Sequence, residues 1–286
     1  MPSKKLAKIE PSAYAILDPA QMTDAIEVVA ENLGSGGVQI GQFDRITIPP
    51  GGGLAFNVAT EDGVKPFQTL TGIIVLAPEQ KAYWDKPMEE NPGSAPACFS
   101  PDCQYGTGDP AGTGQVSNKN LCAVCPHNDW GSDPTGGKGK ACRDLRPLFV
   151  LQAGDFLPVI VQTSRMSLKR VTSYFTLLAR KGIPYFGVVT EIGLVQAKND
   201  AGIVYSELTF KMTEMIDKEK RTAMKQYQEI LKVHATAPPA DADVNGAPAP
   251  ETQEPDYNPF EEDEDGVNAE RDAIVTNPGT GSIIDG

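Results

Sequence analysis

Between about Pro87 and Pro147 the chain drops every apolar periodicity and becomes a run of Gly, Pro, Asn, Ser and Cys. All five cysteines of the protein lie in it: Cys98, Cys103, Cys122, Cys125 and Cys142. A structureless loop of that length is uncommon inside a compact domain unless something other than an apolar core orders it. The cysteines are the residues able to do so. Strand signals stand on both sides of the run, so residues 87–147 read as an insertion within one β-domain.

Upstream, Asp18-Pro19 can start a helix whose apolar positions Met22, Ile26, Val29 and Leu33 recur at helical spacing before Gly34 stops it. Short β signals follow at Arg45–Ile48, Leu54–Val58 and Thr71–Ala77, separated by Pro49-Pro50-Gly51-Gly52-Gly53 and Glu61-Asp62-Gly63. Downstream, strand signals resume at Leu148–Leu151 and Leu157–Gln162. A helix is predicted from Ser167 to Lys181, with Leu168, Val171, Phe175 and Leu178 on one face and Gly182 as its stop. Two longer strands, Tyr185–Val195 and Val204–Thr213, precede a charged helix over Asp217–Val233 with Met224, Tyr227 and Leu231 facing inward. The expectation is a mainly β chain with flanking helices, an α+β fold: an antiparallel sheet or barrel over residues 1–235 with the cysteine-rich stretch inserted in it.

Beyond His234 the composition turns to Ala, Pro, Asp and Glu. Residues 238–286 hold thirteen acidic groups against the single Arg271, so nearly all of the formal net charge of −13 belongs there and the body is close to neutral. Such a segment buries too little apolar surface to offset its chain entropy, and residues 236–286 are expected to be a disordered acidic tail. No strongly basic domain announces nucleic acid, so any such binding must come from a local patch. The N-terminal residues lack the apolar run of a signal peptide or membrane span, which gives a cytoplasmic reading with no membrane partner.

In a reducing compartment clustered cysteines point to a metal before disulfides. Cys122-x2-Cys125 is a zinc-knuckle spacing, and it sits among loop residues rather than between the strand and helix that a thioredoxin-like redox pair needs. The second pair of ligands must come from Cys98, Cys103, Cys142 or His127. With enough thiols to close a tetrahedron, the expected cofactor is a structural Zn2+, whose charge Lys138, Lys140 and Arg143 can help to balance. Gly136-Gly137-Lys138-Gly139-Lys140 fails as a phosphate loop, having neither the Gly-x4-Gly frame nor a following Ser or Thr. Only two histidines are present, which leaves nucleophilic or acid–base catalysis little material, and the chain reads as a non-enzyme.

Two groups of residues suit single-stranded nucleic acid, where cations follow phosphates and aromatic rings stack on bases. Arg165, Lys169, Arg170, Arg180 and Lys181 lie on or beside the Ser167–Lys181 helix, with Tyr174, Tyr185 and Phe186 nearby. Trp130 and Tyr105 accompany Lys138, Lys140, Arg143 and Arg146 in the insertion.

The run Cys98-x-Ser100-x-Asp102, Cys122-x2-Cys125-Pro126-x-Asn128-x-Trp130-Gly131-Ser132 and Gly139-Lys140-Ala141-Cys142-Arg143, followed by an apolar strand and Pro158, resembles a widespread group of bacteriophage proteins of the replication and recombination region, taken to be single-stranded-DNA-binding proteins. The likeness spans roughly residues 39–210 and is specific around the cysteines. In architecture the chain is also similar, without an alignable sequence, to the zinc-containing single-strand-binding proteins of T-even phages. Those combine an OB-like β-barrel, an inserted zinc subdomain and an acidic C-terminal tail. The first resemblance implies Cys98, Cys122, Cys125 and Cys142 as ligands. In that pattern glycine usually follows the aspartate, so Cys103 is the extra cysteine and an alternate ligand. The T-even-like proteins use a histidine, which keeps His127 as another.

The function these resemblances imply is sequence-tolerant binding of single-stranded DNA in phage replication or recombination, in the host cytoplasm. The acidic tail would regulate that binding and recruit replication or recombination proteins. The rival expectations are a zinc-stabilised structural or interaction protein that touches no nucleic acid, and a metal-dependent nuclease.

Overall fold

The computed structural model describes Tyr14 and residues 19–33, 43–60, 62–86, 94–134, 136–199, 202–218, 220–234 and 238. These belong to one compact unit, Met1–Ala247. Apart from Pro238, the acidic segment 236–286 lies outside the described residues, as do residues 87–93 at the start of the expected insertion. Among the described residues no helix is long and apolar enough to cross a membrane.

Among the described residues the fold is mainly β with three α-helices. Strands β1 (Arg45–Ile46), β4 (Thr69–Leu76), β10 (Leu148–Gln152), β11 (Val159–Val161), β12 (Val188–Lys198) and β13 (Val204–Met215) form one sheet in the order β1-β11-β10-β4-β12-β13. All its pairings are antiparallel except β1 with β11. Strands β2 (Phe56–Thr60) and β3 (Gly63–Phe67) make a hairpin of their own. β5 (Gln80–Tyr83), β6 (Cys98–Ser100), β7 (Tyr105–Gly108), β8 (Ser117–Leu121) and β9 (Arg143–Leu145) form a second sheet, ordered β8-β7-β6-β5-β9. This second sheet takes its strands from the chain between β4 and β10, which are neighbours in the first. Its first strand starts at Gln80, upstream of residue 87.

The six-stranded sheet is apolar on both faces, and this decides its layering. Ile73, Val75, Phe149, Leu151 and Val189 point to one side, where Met224, Tyr227 and Leu231 of α3 (Lys220–His234) cover them, with Met22 and Val29 of α1 (Pro19–Leu33) packed alongside. Leu70, Ile74, Leu148, Val150, Val188 and Ile192 point to the other, beneath Val171, Tyr174 and Leu178 of α2 (Leu168–Arg180). Alternation of one residue thus serves two cores at once. Among the described residues the sheet stays open, with β1 and β13 at its ends; of the sheet or barrel that the short strands allow, it is the sheet, and the OB-like barrel that the resemblance implies is not closed here. Register shifts at Phe149/Val150 and Val189/Thr190 add local coiling.

Gly72 is what lets β4 and β10 approach opposite Gln152, since a Cβ there would lie 2.4 Å from the Leu151 carbonyl oxygen. On α2 the inward positions are Val171, Tyr174 and Leu178. Tyr174 is 6% exposed, stacks on Phe210 with ring centroids 5.1 Å apart, and shares a 2.8 Å hydrogen bond with the buried Thr190 hydroxyl. The expectation that Tyr174 stacks on bases is therefore corrected: helical periodicity turns its ring into the core.

A Tyr174→Phe substitution leaves the Thr190 hydroxyl without this partner. We expect it to cost about 1–3 kcal/mol in urea denaturation, with no loss of any surface function.

Candidate functional site

The second sheet has a small apolar core of Ala82, Trp84, Phe99 and Leu145. Along β5, Ala82 is buried in that core while Lys81 and Tyr83, of opposite parity, turn to the other side. There they line a cavity of about 20 Å3 together with Cys98, Ser100, Pro110, Asn120, Cys122, Cys125, Asn128 and Cys142. That volume holds about one water-sized sphere.

The four cysteines of the cavity arrive on three pieces of backbone. Cys98 opens β6, opposite Tyr83 on one side and Gly108 on the other. Gly106 leaves room for its sulfur, since a Cβ there would lie 2.5 Å from Cys98 Sγ. Asn120 Nδ2 donates to the same sulfur at 3.8 Å and to the Gly108 carbonyl at 3.0 Å. Cys122 begins a 3-10 turn after β8, and Cys125 closes that turn and begins the next, Pro126–Asn128. Cys142 precedes β9, with its N–H donating to the His127 carbonyl at 2.7 Å. Asn128 ties the turn together by donating from Nδ2 to the Cys122 carbonyl at 2.9 Å.

Burial pushes the Cys142 thiol up to about 12 and also raises Cys98, and the neighbouring thiols add to both shifts. Cys142 and Cys98 thus resist ionising where they stand. Among the described residues no group of three or more His, Cys, Asp or Glu is drawn together enough to hold a metal as it stands. The four thiols line a common space without converging on a common point. The donor chemistry, all sulfur around room for one ion, fits zinc in a closed tetrahedral site, as opposed to a catalytic site with an open position.

The two alternate ligands are placed elsewhere. Cys103 lies in the loop after β6, is not part of the cavity wall, and has a positive φ of 62°. Burial pushes its thiol up to about 11. The loop is held by Asp102 Oδ1, which accepts from the N–H groups of Gln104 (2.8 Å) and Tyr105 (3.2 Å) and from the Ser100 hydroxyl (3.1 Å). These bonds keep the Asp102 carboxyl below the usual aspartate range. A left-handed residue after an aspartate turn is where glycine is at ease, which gives a physical reason for the glycine of the resembling pattern. His127 stacks on Tyr83, with centroids 3.9 Å apart, and its Nε2 lies 2.9 Å from the Pro110 carbonyl oxygen. It supports the wall from behind.

The cationic residues sort into different roles. Trp130 is 79% exposed, with Lys140 Nζ 5.2 Å from its ring centroid. Lys138 is exposed on the adjoining loop, while Lys140 also donates to Asn128 Oδ1 at 3.1 Å. Arg143 lies over the buried Trp84 at 5.2 Å, and Arg146 is packed over Phe175 and paired with Glu79 at 3.1 Å. On α2, Lys169, Arg180 and Lys181 are exposed, and Arg170 is paired with Glu207 at 2.7 Å. Arg165 donates from Nη2 to the Lys140 carbonyl at 2.8 Å, so the start of α2 and the Trp130 loop are directly joined. Sequence reasoning missed Lys81 and Asn128, whose place in the wall depends on strand pairing across the insertion. It also had no signal for the Arg165–Lys140 contact.

The chain matches no protein-family model, no curated protein and no solved structure.

At Cys103, relief of the left-handed backbone offsets lost packing, so Cys103→Gly is expected to keep stability within about 1 kcal/mol of wild type. Cys103→Val, β-branched at positive φ, is expected to lose about 1–3 kcal/mol. Urea unfolding of the two variants checks the pair.

Proposed function

We propose that this protein binds single-stranded DNA without sequence preference, through a surface made jointly by α2 and a zinc-held insertion. The observation that supports this most is the Arg165–Lys140 bond. It joins the start of α2, which carries Lys169, to the loop of Trp130, Lys138 and Lys140, far away in sequence, while Arg180 and Lys181 extend the cationic residues to the other end of the helix. Cations on such a surface follow the phosphates, and the exposed face of Trp130 offers a base a stacking partner. The core is read as OB-like in the loose sense of a coiled, partly open antiparallel sheet.

Cys98, Cys122, Cys125 and Cys142 would hold zinc, which supplies cross-links among the 3-10 turn and the strands β6 and β9. The work of this chain's own residues is mechanical: the Cys122–Asn128 turns fix the loop on which Trp130 is mounted. The acidic segment 236–286 is assigned two tasks, competing with DNA for the cationic surface and recruiting replication or recombination proteins. No catalytic step is proposed.

Titration of labelled oligo-dT with the full chain and with residues 1–237, at two salt concentrations, tests the reading. Binding is expected to weaken with salt and to tighten without the acidic segment. Trp130→Ala should cost about 1–3 kcal/mol of affinity, and Arg165→Ala should weaken binding with a smaller salt slope. No binding by either form in low salt would sink the proposal in favour of a zinc-stabilised interaction protein. Divalent-dependent shortening of the oligonucleotide would favour a nuclease. Zinc is expected near one per chain and to be lost in Cys122→Ser; full folding in a chelator would refute it.

A further inference from the structure

Four thiolates around one divalent zinc leave an excess of negative charge, and in a half-buried cavity that excess needs a cation or N–H donors beside the sulfurs. The sequence suggests Lys138, Lys140 and Arg143 for this. None of them lines the cavity: Lys138 is exposed on its loop, Lys140 lies beneath Trp130, and Arg143 covers Trp84. Lys81 is the cationic residue among the cavity's lining.

We propose that Lys81 is the positioning residue that balances the charge of the Cys98, Cys122, Cys125 and Cys142 thiolates and so controls how firmly the site keeps its metal. This rests on the zinc reading above. The middle of β5 fixes the residue, where Lys81 is in register with Ser100 of β6 and Asp144 of β9. Its side chain is only 12% exposed. Burying an ammonium is costly unless it is partnered. Two partners are present, the Asp144 carboxylate and Asn128 Oδ1, the latter at 3.0 Å.

An ammonium has three N–H donors, of which these bonds use two, and the residue lines the same cavity as the four sulfurs. Lys81 is also linked to the metal turn indirectly. Asn128 accepts from both Lys81 and Lys140 through Oδ1 and donates through Nδ2 to the Cys122 carbonyl, so both ammonium groups are held against the turn that bears two of the sulfurs. The Asp144 carboxylate has the opposite sign of effect. It anchors Lys81 while offsetting part of the charge that Lys81 presents to the thiolates.

The test uses the full chain with zinc bound and follows transfer of zinc to a chelating dye. Lys81→Met is expected to release zinc about tenfold faster than wild type, and Lys81→Arg, which keeps the charge, to stay close to wild type. In the cobalt-substituted proteins the thiolate-to-cobalt charge-transfer band should shift in Lys81→Met and not in Lys81→Arg. Wild-type release rates and an unchanged cobalt band in Lys81→Met would overturn the inference. So would Lys81→Arg failing as badly as Lys81→Met, which would assign the residue to packing. Should Lys81→Met lack a native circular dichroism spectrum, Lys81→Gln, which removes the charge but keeps an N–H donor for Asp144 and Asn128, decides: faster release than wild type supports the charge role, and wild-type release overturns it. Wild-type protein that takes up no zinc would fail the zinc reading itself, a result distinct from zinc-loaded protein indifferent to Lys81.

Discussion

The pairing of β4 with β10 is the constraint on which the other parts depend. These strands meet in the middle of the six-stranded sheet with Ile73, Ile74, Val150 and Leu151 fully buried between them and the helices. Yet the chain between them makes a whole second sheet before it returns. The insertion must leave after Leu76 and re-enter at Leu148, beside the Leu76–Phe149 pair, while Gly72 allows the close backbone approach at the other end of the pairing, opposite Gln152. Because the two ends are pinned by a core that is buried on both faces, the insertion cannot drift as a unit. What it can do is loosen internally.

Four buried residues make up the apolar core of the second sheet, and a core of that size does not hold short strands by itself. Short strands, two 3-10 turns and glycine-rich loops bury little apolar surface per residue ordered. Cross-linking through sulfur would add stability to such a segment, and the four wall cysteines are spread over it: the first residue of β6, the two ends of one turn, and the residue before β9. A metal there would tie β6 to β9 through the turn between them and limit the motion of the Trp130 loop.

Much of the main sheet was legible in the sequence because its residues obey one periodicity at a time. The helix beginning at Pro19 and the apolar positions Val171 and Leu178, like Met224, Tyr227 and Leu231, follow helical spacing, and they are the residues that pack on the sheet. β6 to β9 were not legible. Their sequences, such as Ser117-Asn118-Lys119-Asn120-Leu121, have no alternation because at most two positions per strand are buried, and none in β8, and the partners are fixed by loop geometry. β3 was hidden for a related reason, since all five of its residues are exposed and it is ordered only by β2. Of the site, the Cys-x2-Cys turn was visible as spacing. The choice between Cys98, Cys103 and Cys142 was not visible in spacing, because it depends on a left-handed residue at 103 and on which strands flank the cavity.

The two tryptophans illustrate how little residue type alone says about a surface. Both have a cation 5.2 Å from the ring centroid, Arg143 for Trp84 and Lys140 for Trp130. Trp84 is 8% exposed and its indole N–H donates to the Ser94 carbonyl at 3.2 Å, so the pair with Arg143 closes the small core of the second sheet. Trp130 has its ring in solvent, where an apolar face of that size gains nothing from the protein's own packing. Its cation, Lys140, is anchored from below by Asn128, and the Lys140 carbonyl is anchored by Arg165. An exposed aromatic ring mounted on a backbone fixed from two directions has lost entropy in advance of any encounter. A flat, π-faced ligand that stacks there, with phosphates within reach of the adjoining cations, meets a surface that needs little rearrangement.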